Sequence, residues 1–301
     1  MQKNKFRNCL QILPVLFFMA FVSASCIKDD LSGCPSPHVS GVTLQVKAFD
    51  ADGNPLDGGT IKDITLYVFN ADKTLLDILH VSLSELVTLD YPGHDNLKLV
   101  AWGNGRQGGQ TLPALRQGDH LETAFVSLIQ PQTRITYPVA GSPDDLFYGT
   151  IDIQTSADAL SARELPLRRK VSGVAVTARR LKEYVGSSDG DFHYILRKTG
   201  SMLDFYGLPN GTDVSYRPGA SFNDRGDFVS STFNILPTDE ELRIDIYHRG
   251  VLQTTIISDS NGKPLRVAEG RLLNVLVDFD GAINVEIKVT DWGKEEIWKE
   301  F

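Results

Sequence analysis

Cysteine, methionine and tryptophan are scarce, at three of each in 301 residues. Three cysteines cannot build a disulfide scaffold. Lys and Arg number 30 against 38 Asp and Glu, for a net charge of −8. That balance argues against nucleic-acid binding, which needs clustered cations for the phosphates. The histidines His38, His80, His94, His120, His193 and His248 make neither an HExxH motif nor a tight His/Cys cluster, so zinc finds no ligand set. No GK[ST] phosphate loop occurs, and no nucleophile elbow is expected. Helical periodicity is thin, and the one apolar run able to meet a membrane lies at the extreme N-terminus. At 42% hydrophobic and 23% charged, the composition is that of an ordered globular protein, long enough for two domains.

Lys3, Lys5 and Arg7 precede an apolar stretch at residues 10–22, LQILPVLFFMAFV, interrupted by Pro14. Its length is too short for a helix to cross about 30 Å of hydrocarbon, so it reads as the core of a signal peptide. Ser23-Ala24-Ser25 then lead to Cys26. Small residues before a cysteine are what a lipoprotein signal peptidase needs, and the Cys26 thiol becomes a thioether to diacylglycerol. Ser23 stands where an aliphatic residue is usual, with Val22 one place earlier. Cleavage before Cys26 leaves 276 residues and removes three positive charges, taking the net charge to −11. Two or three acyl chains on one cysteine hold a membrane firmly. Lys28-Asp29-Asp30 just beyond resembles the surface-export signal of Bacteroidetes lipoproteins. Cys9 leaves with the signal and Cys26 carries lipid, so Cys34 has no partner and no intramolecular disulfide is expected.

From Ser36-Pro37 onward the sequence alternates with period two. Val42, Leu44, Val46 and Ala48 alternate with Thr43, Gln45 and Lys47; Ile64, Leu66 and Val68 with Thr65, Tyr67 and Phe69; Leu242, Ile244 and Ile246 with Arg243, Asp245 and Tyr247; and Ile283, Val285, Ile287 and Val289 with Asn284, Glu286, Lys288 and Thr290. Alternation of this kind puts one set of side chains on a core and the other in water. Asp52-Gly53, Asn261-Gly262 and Asp280-Gly281 are turn signals between the runs. Strands at this spacing without long helices imply antiparallel sandwiches. Short helices are expected at residues 82–89, where Ser82 and Glu85 are spaced as a capping box, and at residues 178–185. The small, polar run at residues 155–164 reads as the domain break. The expected organisation is a signal peptide (1–25), a lipidated tether (26–40), an N-terminal sandwich (41–160) and a C-terminal sandwich (161–301).

Few motifs carry chemistry. Gly103-Asn104-Gly105-Arg106-Gln107-Gly108 fits GxGxxG, but Pro and Gly follow where a dinucleotide site needs a helix N-terminus; it reads as a loop. Asp50, Asp52, Gly53, Asn54 and Asp57 resemble a calcium loop, yet Pro55 and Ile61 occupy the positions of the required Gly and Glu; a turn is the better reading. Asp144-Asp145, Glu240-Glu241 and Glu295-Glu296 are adjacent acids and read as solvated loops. Arg168-Arg169-Lys170 and Arg179-Arg180 read as solvent-facing. Arg225-Gly226-Asp227 is an RGD tripeptide in a turn-rich run, a short motif that chance supplies readily.

Several segments together resemble one family. They are the start at residues 26–35 (CIKDDLSGCP), then ITLYVFN at 64–70, LKLVAWGN at 97–104, DLFYG at 145–149, LPLRRKVSGVAVT at 165–177 and VEIKVTDW at 285–292. Their order and spacing are similar to the FimB/Mfa-type minor fimbrial subunits of Bacteroidales, through essentially the whole mature chain. The resemblance implies an all-β fold of two tandem transthyretin-like antiparallel β-sandwich domains. It also implies an outer-membrane lipoprotein at the fimbrium base, held by Cys26, with no catalytic residue, metal or cofactor. The implied partner is a fimbrial shaft subunit, joined by β-strand pairing at a sheet edge. The regular apolar face of the C-terminal hairpin, residues 272–279 with 283–289, places the candidate acceptor edge at Val285 and Ile287. The competing readings are a surface glycan-binding lipoprotein and a fimbrial tip or accessory adhesin. A glycan binder should display aromatic platforms, whereas Trp102 and Trp292 lie in strand-like, core-type positions and only Trp298 remains.

Overall fold

The computed structural model describes residues 41–130, 139–155 and 162–294. The signal peptide and tether, with Cys26, Lys28, Asp29, Asp30 and Cys34, lie outside the described residues, as do Glu295-Glu296 and Trp298.

The described chain is almost entirely β. Its strands are β1 Val42–Phe49, β2 Ile64–Asn70, β3 Leu75–Val81, β4 Leu86–Leu89, β5 Asn96–Gly103, β6 Gln110–Thr111 and β7 Phe125–Leu128. There follow β8 Val139–Ala140, β9 Phe147–Gln154, β10 Ala162–Arg169, β11 Ser172–Arg179, β12 Phe192–Asp204, β13 Pro209–Tyr216 and β14 Ala220–Phe222. The last are β15 Phe228–Ser230, β16 Phe233–Ile235, β17 Arg243–His248, β18 Val251–Ile256, β19 Arg271–Asp280 and β20 Ala282–Asp291. A short α-helix, α1, spans Leu181–Val185, and a single 3-10 turn spans Leu121–Thr123.

The first sheet runs β3-β2-β5-β9-β10-β1-β4. Strands β9 and β10 share only two residue pairs, Arg168 with Tyr148 and Arg169 with Phe147. The sheet therefore folds there into two leaves. Val42, Leu44, Val46, Leu165 and Leu167 from one leaf and Ile64, Leu66, Val68, Leu97 and Leu99 from the other close on a single core. Burying these branched side chains, each worth roughly 1.5–3 kcal/mol, drives the folding-over. The second sandwich stacks the sheet β14-β15-β11-β19-β20 on the sheet β18-β17-β12-β13-β8, with β16 added to β11, β7 to β12 and β6 to β7. Its core takes Val174, Val176, Val275 and Val277 from one sheet and Tyr194, Ile244 and Ile246 from the other.

β2 and β5 are buried on both faces. Their second face, with Tyr67, Phe69 and Trp102, packs on Phe205, which follows β12. That double burial explains the near-continuous apolar runs of ITLYVFN and LKLVAWGN.

Sheet membership crosses the boundary expected at 160/161 in both directions. β10, beyond it, pairs in parallel with β1 in the first sheet. β6, β7 and β8, before it, join the last sheet. The chain passes from the first sheet to the second at Lys170-Val171, between β10 and β11. The helix expected at 82–89 does not form: Ser84 adopts φ 65°, and residues 86–89 pair with β1 as β4. Only one limb of the capping box survives, the Ser82 N–H donating to Glu85 Oε2 (2.9 Å). In the region 178–185, β11 continues through Arg179, Arg180 turns at φ 55°, and helix is confined to α1.

Candidate functional site: a motif junction and an open sheet edge

The motif segments meet at a junction. Arg169 ends β10 on the same face as Leu165 and Leu167 and is 6% exposed. Its guanidinium forks onto Asp145, Nε to Oδ1 at 2.5 Å and Nη2 to Oδ2 at 2.8 Å. It also lies 4.2 Å from the Trp292 ring centre and 4.8 Å from that of Phe147. A planar, always-charged fork satisfies a carboxylate and stacks on aromatics at once, which lysine cannot do. The solvent-facing reading of Arg169, and the solvated-loop reading of Asp144-Asp145, are therefore corrected. Asp144 accepts from the Gly109 N–H and from Gln110 Nε2. Asn104 completes the junction from φ 57°. It accepts from the Lys62 N–H (2.8 Å) and donates to the carbonyls of Thr60 (3.0 Å) and Asp145 (2.9 Å). Gly149 has a steric reason: a Cβ there would stand 2.3 Å from the Pro166 carbonyl oxygen, across the β9–β10 fold line.

A second set of charges ties the same region. Arg271 of β19 bonds both Asp52, in the β1 turn, and Asp291, at the end of β20. Lys294 donates to Asp291 at 2.7 Å. This hydrogen bond, reinforced by the charges of Lys294 and Arg271, holds the Asp291 carboxyl below its usual value. Asp50 is not free for a cation. Its Oδ1 accepts the N–H groups of Asp52 and Asn54. The Asn54 side-chain amide, first among these bonds, lowers its pKa. Among the described residues no group of three His, Cys, Asp or Glu is placed to hold a metal.

The expected C-terminal hairpin forms, with Val277 opposite Val285 and Val275 opposite Ile287, about Gly281 at φ 67°. β20 is the terminal strand of its sheet. Val285 is buried at 7% exposure and Ile287 half-buried, whereas Ile283 and Val289 are 38% and 49% exposed. Val285 turns its backbone away from β19: its N–H donates to Ser260 Oγ (2.7 Å) and its carbonyl accepts from the Ser260 N–H (2.9 Å). A second terminal strand, β18, escaped the sequence reading. Val251 and Leu252 on it are 62% and 47% exposed, and the strand carries no charge or proline to guard its edge. The uncharged run VLQTTI was the available signal.

The remaining motifs are structural. GxGxxG starts at the last residue of β5 and runs through the loop to β6, so the element that follows it is a strand, not a helix. In the RGD turn, the Asn223 side chain accepts the N–H groups of Arg225 and Asp227. Asp227 is buried, with its carboxylate 3.7 Å from the Arg225 guanidinium, so the tripeptide closes on itself. Residues 186–190, GSSDG, do spell GxSxG around Ser188, contrary to the sequence reading. They follow a helix and precede a strand, the reverse of a nucleophile elbow. Nearby, His248 Nε2 is engaged by the Asp189 carbonyl (2.7 Å) and its ring stacks on Phe192.

Two tandem sandwiches, joined through a buried arginine junction and ending in an edge-strand hairpin, define an all-β two-sandwich protein whose motifs serve architecture. The family described as Mfa2, fimbrillin-A associated anchor proteins Mfa1 and Mfa2, matches residues 31–298, and the chain belongs to it. A curated relative, the major fimbrium anchoring subunit FimB of Porphyromonas gingivalis, is 28% identical over 302 residues, spanning 92% of this chain and 93% of its own. The solved fimbrial anchor protein Mfa2 of Porphyromonas gingivalis has a TM-score of 0.61 at 18% identity, over 84% of this chain and 97% of its own. A Bacteroides thetaiotaomicron protein of known structure has a TM-score of 0.63 at 18% identity, over 84% of this chain and 96% of its own. Both structures share the fold.

Proposed function

We propose that this chain is an outer-membrane lipoprotein that anchors a fimbrial fibre to the cell. Cys26 bears the lipid, Lys28-Asp29-Asp30 direct the protein to the outer surface, and a shaft subunit pairs by a β-strand with the edge at Val285 and Ile287. The observation that carries this reading is the family match over residues 31–298, whose FimB relatives are named as anchoring subunits. The edge position of β20 supports the assembly mode, because an unpaired strand offers backbone groups and alternate apolar side chains to a donated strand. The buried junction at Arg169 supports a role under fibre tension, because it ties Trp292, just after β20, to the first sandwich. A glycan-binding reading loses support from the tryptophans, since Trp102 is buried and Trp292 is covered by Arg169.

The test is deletion of the gene and complementation with wild-type or Cys26→Ala protein. Deletion should shed fibres into the medium. Wild type should restore them to the cell, whereas Cys26→Ala should take up no fatty-acid label and leave fibres in the supernatant. Fibres that stay on the deletion strain would end the anchoring reading. Replacing Lys28-Asp29-Asp30 with Ala should hide the lipidated protein from protease added to intact cells.

A further inference from the structure

Among the described residues, β20 is covered at one rung. Val285 points both backbone groups outward, so Ile283, Ile287 and Val289, at intervals of two, do the same, and among the described residues no strand lies on that side of β20. The cover is Ser260, at the tip of the hairpin joining Ser258 to its bridge partner Pro264. Asp259 Oδ1 pins that hairpin by accepting the N–H groups of Asn261 and Lys263. The buried Leu265 anchors its base, bonding Leu242 and Ile257. The contact is a makeshift: the serine hydroxyl stands in for a strand carbonyl and nothing continues the ladder to either side.

We infer that the 258–264 hairpin is a displaceable guard, which masks the Val285 rung of the free protein and yields it to an extended segment of a fimbrial subunit. The inference rests on the anchoring reading above and adds the device that controls its edge. The occupant's chemistry follows from β20. Its exposed Ile283 and Val289, in line with buried Val285, ask for alternating apolar side chains. On the other face Glu286 is exposed and has no ion-pair partner among the described residues, which asks for a Lys or Arg opposite it.

The experiment uses the mature chain and subunits dissociated from fimbriae of the bacterium that expresses it. In Ser260→Ala, amide exchange at Val285 should rise about fivefold, the equivalent of one ordinary hydrogen bond. Affinity for the subunits should rise by a similar factor, because that bond no longer has to be broken. Ile287→Lys should cut binding at least tenfold, and Leu252→Lys on β18 should leave it unchanged. In the wild-type complex, without any variant, Ile283, Val285 and Ile287 should gain protection while Ser260 loses it. Faster Val285 exchange with unchanged affinity would overturn the guard. Loss of binding with Leu252→Lys but not Ile287→Lys would place the acceptor at β18 and overturn it too. Self-association of Ser260→Ala without tighter subunit binding would make a second copy the occupant, against the inference. A wild-type chain that binds no subunit, together with fibres retained on the deletion strain, would sink the anchoring reading itself.

Discussion

Replacing Arg169 by Ala removes the centre of the junction, and its cost follows from the geometry. Arg169 is 6% exposed, and its partner Asp145 keeps 28% of its side chain in water. Breaking a buried ion pair from one side costs about 3–5 kcal/mol, and the solvated edge of Asp145 places this one near 3 kcal/mol. Losing the stacks on Trp292 and Phe147, at 4.2 and 4.8 Å, adds about 0.5 kcal/mol each. The total is about 4 kcal/mol. At about 2–4 °C per kcal/mol for a unit of this size, melting should fall by about 10 °C or more. Arg169→Lys keeps the charge but loses the fork, and should fall about half as far. Calorimetry on the mature protein gives the shifts, and a double-mutant cycle with Asp145→Ala should show coupling of about 2 kcal/mol. A melting temperature for Arg169→Ala within 2 °C or so of wild type would refute the junction as a stabilising element.

Other substitutions separate structure from recognition. Val285→Lys buries a charge in the second core, so circular dichroism should show it poorly folded, whereas Ile287→Lys, half-exposed on the same face, should fold normally. Asp227→Ala should cost about 1 kcal/mol by urea unfolding and leave adhesion to integrin-bearing cells unchanged; a loss of adhesion by a folded protein would revive the RGD motif. Asp50, its folded pKa held below the ordinary 3.8, contributes stability that is present above that value and lost as pH falls through the lower folded one. Stability of Asp50→Asn should therefore vary less with pH below about 4 than that of wild type; parallel curves would show that the turn carries no such linkage.

The class of the fold, and the inward face of a half-buried strand such as β1, were legible in the amino-acid sequence. Alternation at 42–48 named the residues that face a core, whereas at 64–69 both faces are buried and at 283–289 only Val285 is; Asp280-Gly281 marked the hairpin turn. These are local properties, since a period of two is written along a single strand. Arg169 shows the limit. Its charge leads to a solvent-facing reading despite its parity with Leu165 and Leu167, and it is tolerated inward only because Asp145 and Trp292 come to it from distant segments. The sheet membership of β10 has the same character, for its parallel partner β1 lies more than a hundred residues away. Nor could the run around Val285 reveal whether its edge was open. That depended on which strand ended the sheet and on a serine hydroxyl arriving from the loop after β18. Local pattern decides which way a side chain points; only long-range packing decides what it meets, because those contacts form between segments whose sequences carry no record of one another.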